Sequence, residues 1–181
     1  MKKKSRALIW VALLGALAFV LSGCLFKPVQ GGIISIGRPY QYFNFEVRSD
    51  YPDSDGMELT DGKLGDYTSP GHGPWVGLWK GEEEEKPGTI VMDLGSSKSV
   101  GEVRAYFLSG SWGILAPAKM EVYLSDDAKT WSGPFTYEPG PYEGEVGLWY
   151  TANVEGTGRY VKCDLTFNGA NIWVSEIVVF Q

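Results

Sequence analysis

Beyond residue 40 the apolar residues recur at alternate positions in short runs, and no stretch keeps the 3.6-residue period of an amphipathic helix. The runs span residues 41–47, 89–94, 101–107, 119–125, 148–154, 159–167 and 172–180. Turn residues bound them: Gly95-Ser96-Ser97, Ser125-Asp126-Asp127, Pro139-Gly140-Pro141 and Glu155-Gly156-Thr157-Gly158. Runs rich in Val, Ile, Tyr and Phe suit a pleated, half-buried surface. Long irregular connections at 49–88 and 108–117 supply the crossings that a jelly roll needs. The expected fold is therefore all-β, an antiparallel jelly-roll β-sandwich.

The first 23 residues stand outside that argument. Lys2, Lys3, Lys4 and Arg6 form a basic start, and residues 7–21 are apolar apart from Gly15, too short for a comfortable membrane span. Leu21-Ser22-Gly23-Cys24 resembles a bacterial lipobox, in which cleavage before Cys24 leaves a lipid-modified cysteine at the new N-terminus. The expected organisation is a signal peptide at 1–23, a lipid anchor and tether at 24–39, and one domain at 40–181. This would hold the domain outside the cytoplasm, lipid-anchored to the bacterial cell membrane through Cys24 only, with more than one acyl chain needed for stable anchoring. Cys163 has no partner within the mature chain and shares parity with Val161, Leu165 and Phe167, so it reads as a small core residue.

After cleavage 12 basic and 22 acidic residues remain, a formal charge of −10 with no basic cluster. That excludes nucleic acid as a partner and electrostatic docking on anionic lipid heads. Catalysis finds little support as well. His72 is the chain's only histidine, and it has no glycine-flanked nucleophile to serve and no further ligands for a zinc site. The expectation is a binding protein without enzymatic activity.

Two groups of residues could carry binding. Asp61 and Asp66 share a glycine-spaced loop, and Glu176 opens the last apolar run, where core packing gives a carboxylate no reason to be. An irregular loop joined by a carboxylate from a distant strand suits calcium, which takes six to eight oxygens. Hydrogen bonding of both carboxylates to turn amides is the alternative. The mature chain also has six tryptophans, at 75, 79, 112, 131, 149 and 173. Trp131, Trp149 and Trp173 lie in or beside expected strands and read as core. Trp112 lies in a loop and is the candidate for an exposed ring, either against a pyranose face or buried under the loop. His72 and Trp75 follow it, and Asn168 and Asn171, in the turn before the last run, could supply amides or simply form the turn.

Several motifs occur in a telling order: Thr60-Asp61-Gly62, then Ile90-Val91-Met92-Asp93-Leu94-Gly95, Val122-Tyr123-Leu124-Ser125-Asp126-Asp127-Ala128-Lys129-Thr130-Trp131, Gly158-Arg159-Tyr160-Val161-Lys162 and Ser175-Glu176-Ile177. Together they resemble the discoidin or coagulation-factor type C domain, one of the galactose-binding-like β-sandwiches, over roughly residues 45–181. The resemblance implies a non-catalytic binding module and a structural calcium. By position, Asp61 and Glu176 would give side-chain oxygens, and Lys63 and Ser175 main-chain carbonyls. Glu58 would add a further carbonyl, and Asp66 or Thr68 would stand at the remaining position. Where galactose-type modules often carry an arginine, Leu108-Ser109-Gly110 stands instead. The ligand expected is a polysaccharide or other glycan; the alternative is a surface protein held by the same loops.

Overall fold

The computed structural model describes residues 31–181, apart from positions 72, 84, 142, 143 and 145. Eight strands follow one another: β1 (Tyr40–Phe43), β2 (Phe45–Val47), β3 (Val76–Lys80), β4 (Gly88–Ser109), β5 (Lys119–Ser125), β6 (Ser132–Tyr137), β7 (Val146–Thr166) and β8 (Asn171–Phe180). A single 3-10 turn, Glu58–Thr60, lies between β2 and β3. All strand pairs are antiparallel, in the order β2-β3-β8-β4-β7-β5-β6, with β1 added to β4.

The expected runs at 89–94 and 101–107 are the two halves of β4, and those at 148–154 and 159–167 fall mainly within β7. Each strand serves two sheets. Residues 88–93 of β4 pair with β1 and with the end of β7, whereas 102–108 pair with β8 and with the beginning of β7. Register shifts separate the halves. Ile90, Met92 and Leu94 point into the core from the first half, and Val103, Ala105 and Phe107 from the second. β7 switches likewise, from Tyr150, Ala152 and Val154 to Val161, Cys163 and Leu165. An even-numbered set gives way to an odd-numbered one, which happens when a strand leaves one layer and enters the facing one. Sheet one is thus β1-β4-β7-β5-β6 and sheet two β2-β3-β8-β4-β7, with one apolar core between them. Burying each Leu, Val or Ile there contributes roughly 1.5–3 kcal/mol. Cys163 lies in this core, where burial pushes its thiol up to about 12.

The structure adds two strands, β3 between β2 and β8 and β6 at a sheet edge. β3 lies inside the stretch expected to be irregular, and its Gly77 lets the chain around Tyr51 pass close over it, with Gly77 N–H donating to the Tyr51 carbonyl at 3.0 Å. β6 contains Pro134, which only an edge strand tolerates because proline has no N–H to donate. The expected run 41–47 is split at Asn44, whose backbone turns to a φ of 53°. Its amide then holds the carbonyls of Glu83, Lys86 and Pro87 and accepts the Glu83 N–H, fixing the acidic loop tip. Residues 31–39, the described part of the expected tether, lie against β8: Ile34 packs on the core and buried Ser35 accepts the Val179 N–H.

The turn after β5 is held by Asp127, which accepts the N–H groups of Lys129 and Thr130, each at 2.8 Å, and the Ser125 hydroxyl. These bonds lower its carboxyl from the usual value to about 2. A carboxyl depressed in the folded state stabilises above its unfolded value near 3.8 and loses that contribution as pH falls toward 2. Asp127→Ala should therefore melt a few degrees below the parent at pH 7. The gap should close on acidification to pH 2, as read by circular dichroism; a gap independent of pH would refute the assignment.

Candidate functional site

β8 carries a bulge that shapes the region around the acidic loop. Tyr106 pairs with Glu176 and Phe107 with Val174, leaving Ser175 as the extra residue. The inward set changes from Ile172 and Val174 to Ile177 and Val179, and the bulge aims the Glu176 carboxylate at the loop. That loop is sewn to the bulge by two hydrogen bonds. Gly62 N–H donates to Glu176 Oε2 at 3.0 Å, and Gly65 N–H donates to Ser175 Oγ at 3.0 Å. Residues separated by more than a hundred positions are thereby joined, as the metal reading requires and as its hydrogen-bonding alternative also does.

Glu176 is 2% exposed, and its Oε1 finds no hydrogen-bond partner among the described residues. Burial, with the nearby Asp61 charge, pushes its carboxyl up to about 8. A buried anionic oxygen without a partner is costly, and a cation is one way to satisfy it. Asp61 offers both oxygens: Oδ1 accepts the Lys63 N–H and Oδ2 meets Lys63 Nζ at 2.7 Å. The exposed ammonium is a local stand-in for positive charge, in a kind of pair that is worth little in water. The donor set thus fits a hard cation. Asp66 is used differently. Its carboxylate closes its own turn by accepting the Thr68 N–H and hydroxyl, and its carbonyl accepts Trp75 Nε1 at 3.4 Å.

A second acidic group lies just before the 3-10 turn. Asp53, Asp55 and Glu58 each place a ligand atom within 4.8 Å of the others, a spacing that could accommodate a metal ion. Asp53 Oδ2 is already satisfied by the hydroxyls of Tyr40 and Tyr42, both at 2.7 Å. Glu58 is pushed up to about 7 by burial and by the facing Asp53.

Above the outer face of sheet two lies an aromatic cluster of Trp75, Tyr106, Leu108, Ile114 and Trp173, with Tyr51 against it. Trp75 stacks on Tyr106 with centroids 5.6 Å apart, Tyr106 meets Trp149 at 4.9 Å, and Tyr51 covers Trp173 at 4.1 Å. Gly65 and Gly147 permit this packing, since a Cβ at either would fall inside the ring of Trp75 or Tyr106. Trp112 caps the cluster edge-on to Trp173, with centroids 6.1 Å apart, and is 67% exposed. Its φ of 48° is rare for a residue with a Cβ, and Gly110 and Gly113 beside it also have positive φ. Its six-membered ring lies over Gly71.

The expected site residues therefore divide. Trp112 is exposed, as is Asn168. Asn171 is only partly exposed, and its Oδ1 is buried without a partner among the described residues, beside Trp79, whose indole N–H is buried and equally unpartnered. Trp75 must be corrected. It is 2% exposed, because the loop carrying it folds its ring between Gly65 and Tyr106, so it supports the face and does not offer a ring to a ligand. His72, like Cys24, lies outside the described residues. Trp149 and Trp131 must also be corrected: Trp149 is 38% exposed and Trp131 is only partly buried, so neither is core. The alternation of β7 held the signal, since Tyr150 and Ala152 point inward and so turn Trp149 outward.

No protein-family model matches the chain, and no curated protein matches it in sequence. Solved structures do match it in fold. A mutant lectin binding domain of lectinolysin, complexed with Lewis b, aligns with a TM-score of 0.57 and 21% identity over 85% of this chain and 99% of that one. A fucose-binding module of Streptococcus pneumoniae aligns with a TM-score of 0.56 and 19% identity over 83% and 95%. The family 32 carbohydrate-binding module of NanJ from C. perfringens, in complex with galactose, aligns with a TM-score of 0.54 and 14% identity over 82% and 98%. The chain has the galactose-binding-like β-sandwich fold of carbohydrate-binding modules. At these identities the likeness is one of fold.

Proposed function

We propose that this chain is a lipid-anchored, extracytoplasmic module that binds carbohydrate and does no chemistry of its own. The observation that carries the reading is Trp112, a largely exposed indole held at a positive φ over a packed aromatic base. Strained, exposed positions of this kind persist where the surroundings hold them, and they concentrate at ligand sites. A rigid ring presented at a surface is what the apolar face of a sugar stacks on, with little ordering left to do on binding. The fold neighbours support the class of ligand, since they include modules crystallised with Lewis b and with galactose. Asn168, exposed in the turn before β8, is an expected source of an amide for sugar hydroxyls.

Calcium has a structural role in this reading. Asp61 and Glu176 would hold it through their side chains and Lys63 and Ser175 through their carbonyls, with Glu58 adding another carbonyl and Asp66 closing the loop. The bound ion would supply the positive charge that the unpartnered Glu176 oxygen lacks, and would displace the Lys63 ammonium from Asp61. It would tie the loop to β8 at the base of the surface that carries Trp112.

Three experiments test these statements. A glycan array probed with the chain should give hits that Trp112→Ala weakens about tenfold, or about 1.4 kcal/mol, without lowering the melting temperature. Absence of any glycan hit, or hits indifferent to Trp112, would refute the sugar site, and a specific surface protein recovered by crosslinking would then favour the rival. Calcium at about 100 times its Kd should raise the melting midpoint of chelator-treated protein by roughly 5–10 °C, and Glu176→Gln should abolish that gain. An unchanged midpoint, together with no metal by elemental analysis, would rule the ion out. Finally, the full chain should partition with membranes in bacteria and Cys24→Ser should not; identical partitioning would exclude lipidation at Cys24.

A further inference from the structure

The outer face of sheet one, on the other side of the sandwich from Trp112, carries a groove of about 420 Å³. That is within the usual range for small-molecule sites, roughly 300–1,000 Å³. Its floor is built by neighbouring strands in register, Gln41 of β1 beside Val91 of β4, and Asp93 of β4 beside Tyr160 of β7. Trp131, at the end of the turn after β5, lines one side, and Phe43, 51% exposed, lies on β1. No part of the calcium reading or of the Trp112 surface uses these residues.

We infer that this groove is a second carbohydrate site, which takes a neutral oligosaccharide stretch lying across β1, β4 and β7. Three features argue for that occupant. The first is charge. Cations and anions on this face neutralise one another: Asp93 with Arg159 at 2.7 Å, Lys162 with Asp164 at 3.0 Å, and Lys119 with Glu121 at 2.9 Å. The face offers oriented donors and acceptors but little free charge, so a charged ligand gains little there and a polyhydroxylated neutral one gains hydrogen bonds. The second is the rings. Tyr160 and Trp131 are partly exposed, and each has a cation over one ring face. The Arg159 guanidinium lies over Tyr160 at 4.9 Å, and Lys162 Nζ lies 3.9 Å from the Tyr123 ring centre and 5.3 Å from that of Trp131. Rings fixed in this way lose little freedom when a sugar stacks on them. The third is rigidity. The floor is paired sheet, with Asp93 gripped by two hydrogen bonds from Arg159, so the polar groups are set before a ligand arrives. The lining sets the rings of Trp131 and Tyr160 beside the polar Gln41 and Asp93, with small apolar contacts from Val91 and Ala128.

The inference shares only its ligand class with the Trp112 reading, and different variants probe the two. Affinity gel electrophoresis of the full chain in detergent, against soluble xylan, galactomannan and mixed-linkage β-glucan, should show retardation by at least one polymer. Trp131→Ala and Tyr160→Ala should each weaken it at least tenfold, and Gln41→Ala, which changes an exposed side chain and spares the fold, should weaken it several-fold. Trp112→Ala should leave a groove-held polymer bound. Melting curves on each variant separate loss of binding from loss of fold. Retardation by none of the polymers overturns the proposal. So does retardation that only Trp112→Ala abolishes, or selection of peptides that the Trp131 and Tyr160 variants no longer hold.

Discussion

β4 and β7 run beside each other for most of their 22 and 21 residues, and both change their inward face part-way along. That shared change of parity makes two layers out of one hydrogen-bonded sheet. A strand whose side chains alternate strictly can cover only one core face, so crossing between layers requires a local slip in the pairing. Here the slip falls at residues 93–102 on β4, opposite a segment of β7 that contains Gly156 and Gly158. Gly158 sits so close to the Ser125 backbone that a side chain there would have no room. Both outer faces of the sandwich are built in part on this strand pair. One of its halves carries Asp93 and Tyr160 on the face of the groove, and the other carries Tyr106 and Trp149 on the face that bears the aromatic cluster.

The bulge in β8 is the second such slip and has a different consequence. By adding Ser175 it places a carboxylate within an otherwise apolar stretch of the strand, and the loop comes to meet it. The 61–66 segment has no regular structure of its own; its hydrogen bonds to Glu176 and Ser175 give it a place. A buried carboxylate with one oxygen unmatched then stands close to Asp61, and two like charges in one recess are tolerable only with a proton or a cation between them and solvent. A bound ion would lower the cost of burying the unmatched Glu176 oxygen.

Much of this could be read from the chain. Alternation located every long strand, and β5 was expected at Lys119–Ser125, its observed bounds. The junctions in β4 and β7 were visible as turn residues, although they proved to be bends within continuous strands and not ends. β3 and β6 escaped because glycine and proline dilute their alternation; β3 is a short strand between β2 and β8, and β6 is an edge strand, which can accept proline. The bulge escaped for the opposite reason: nearly every residue of β8 is apolar or buried, so no alternation remains from which a slip could be seen. At the site, the loop position of Trp112 was legible. Trp75 and Trp149 were misjudged because loop membership was equated with exposure and strand membership with burial. A tryptophan in a loop can be folded under it, and one in a strand faces outward at every second position.

The two exposed aromatic surfaces differ in how they are made, and the difference bears on what each can hold. Trp112 is presented by a turn between glycines, over a base of rings that contribute apolar area and few polar groups. A ligand there is gripped mainly by one ring and by whatever the neighbouring loops supply, which suits a single sugar unit at the end of a chain. The groove on sheet one is flat-floored and strand-built; Asp93 in its floor pairs across strands with Arg159, while Lys162–Asp164 and Lys119–Glu121 pair along β7 and β5 on the same face. Such pairs contribute little to stability at a surface. Their effect is to balance charge locally in a chain of formal net charge −6, where a neutral ligand would otherwise meet unpaired charges. A terminal-residue site and an internal-chain site on opposite faces would let one domain hold a polymer by its end or along its length.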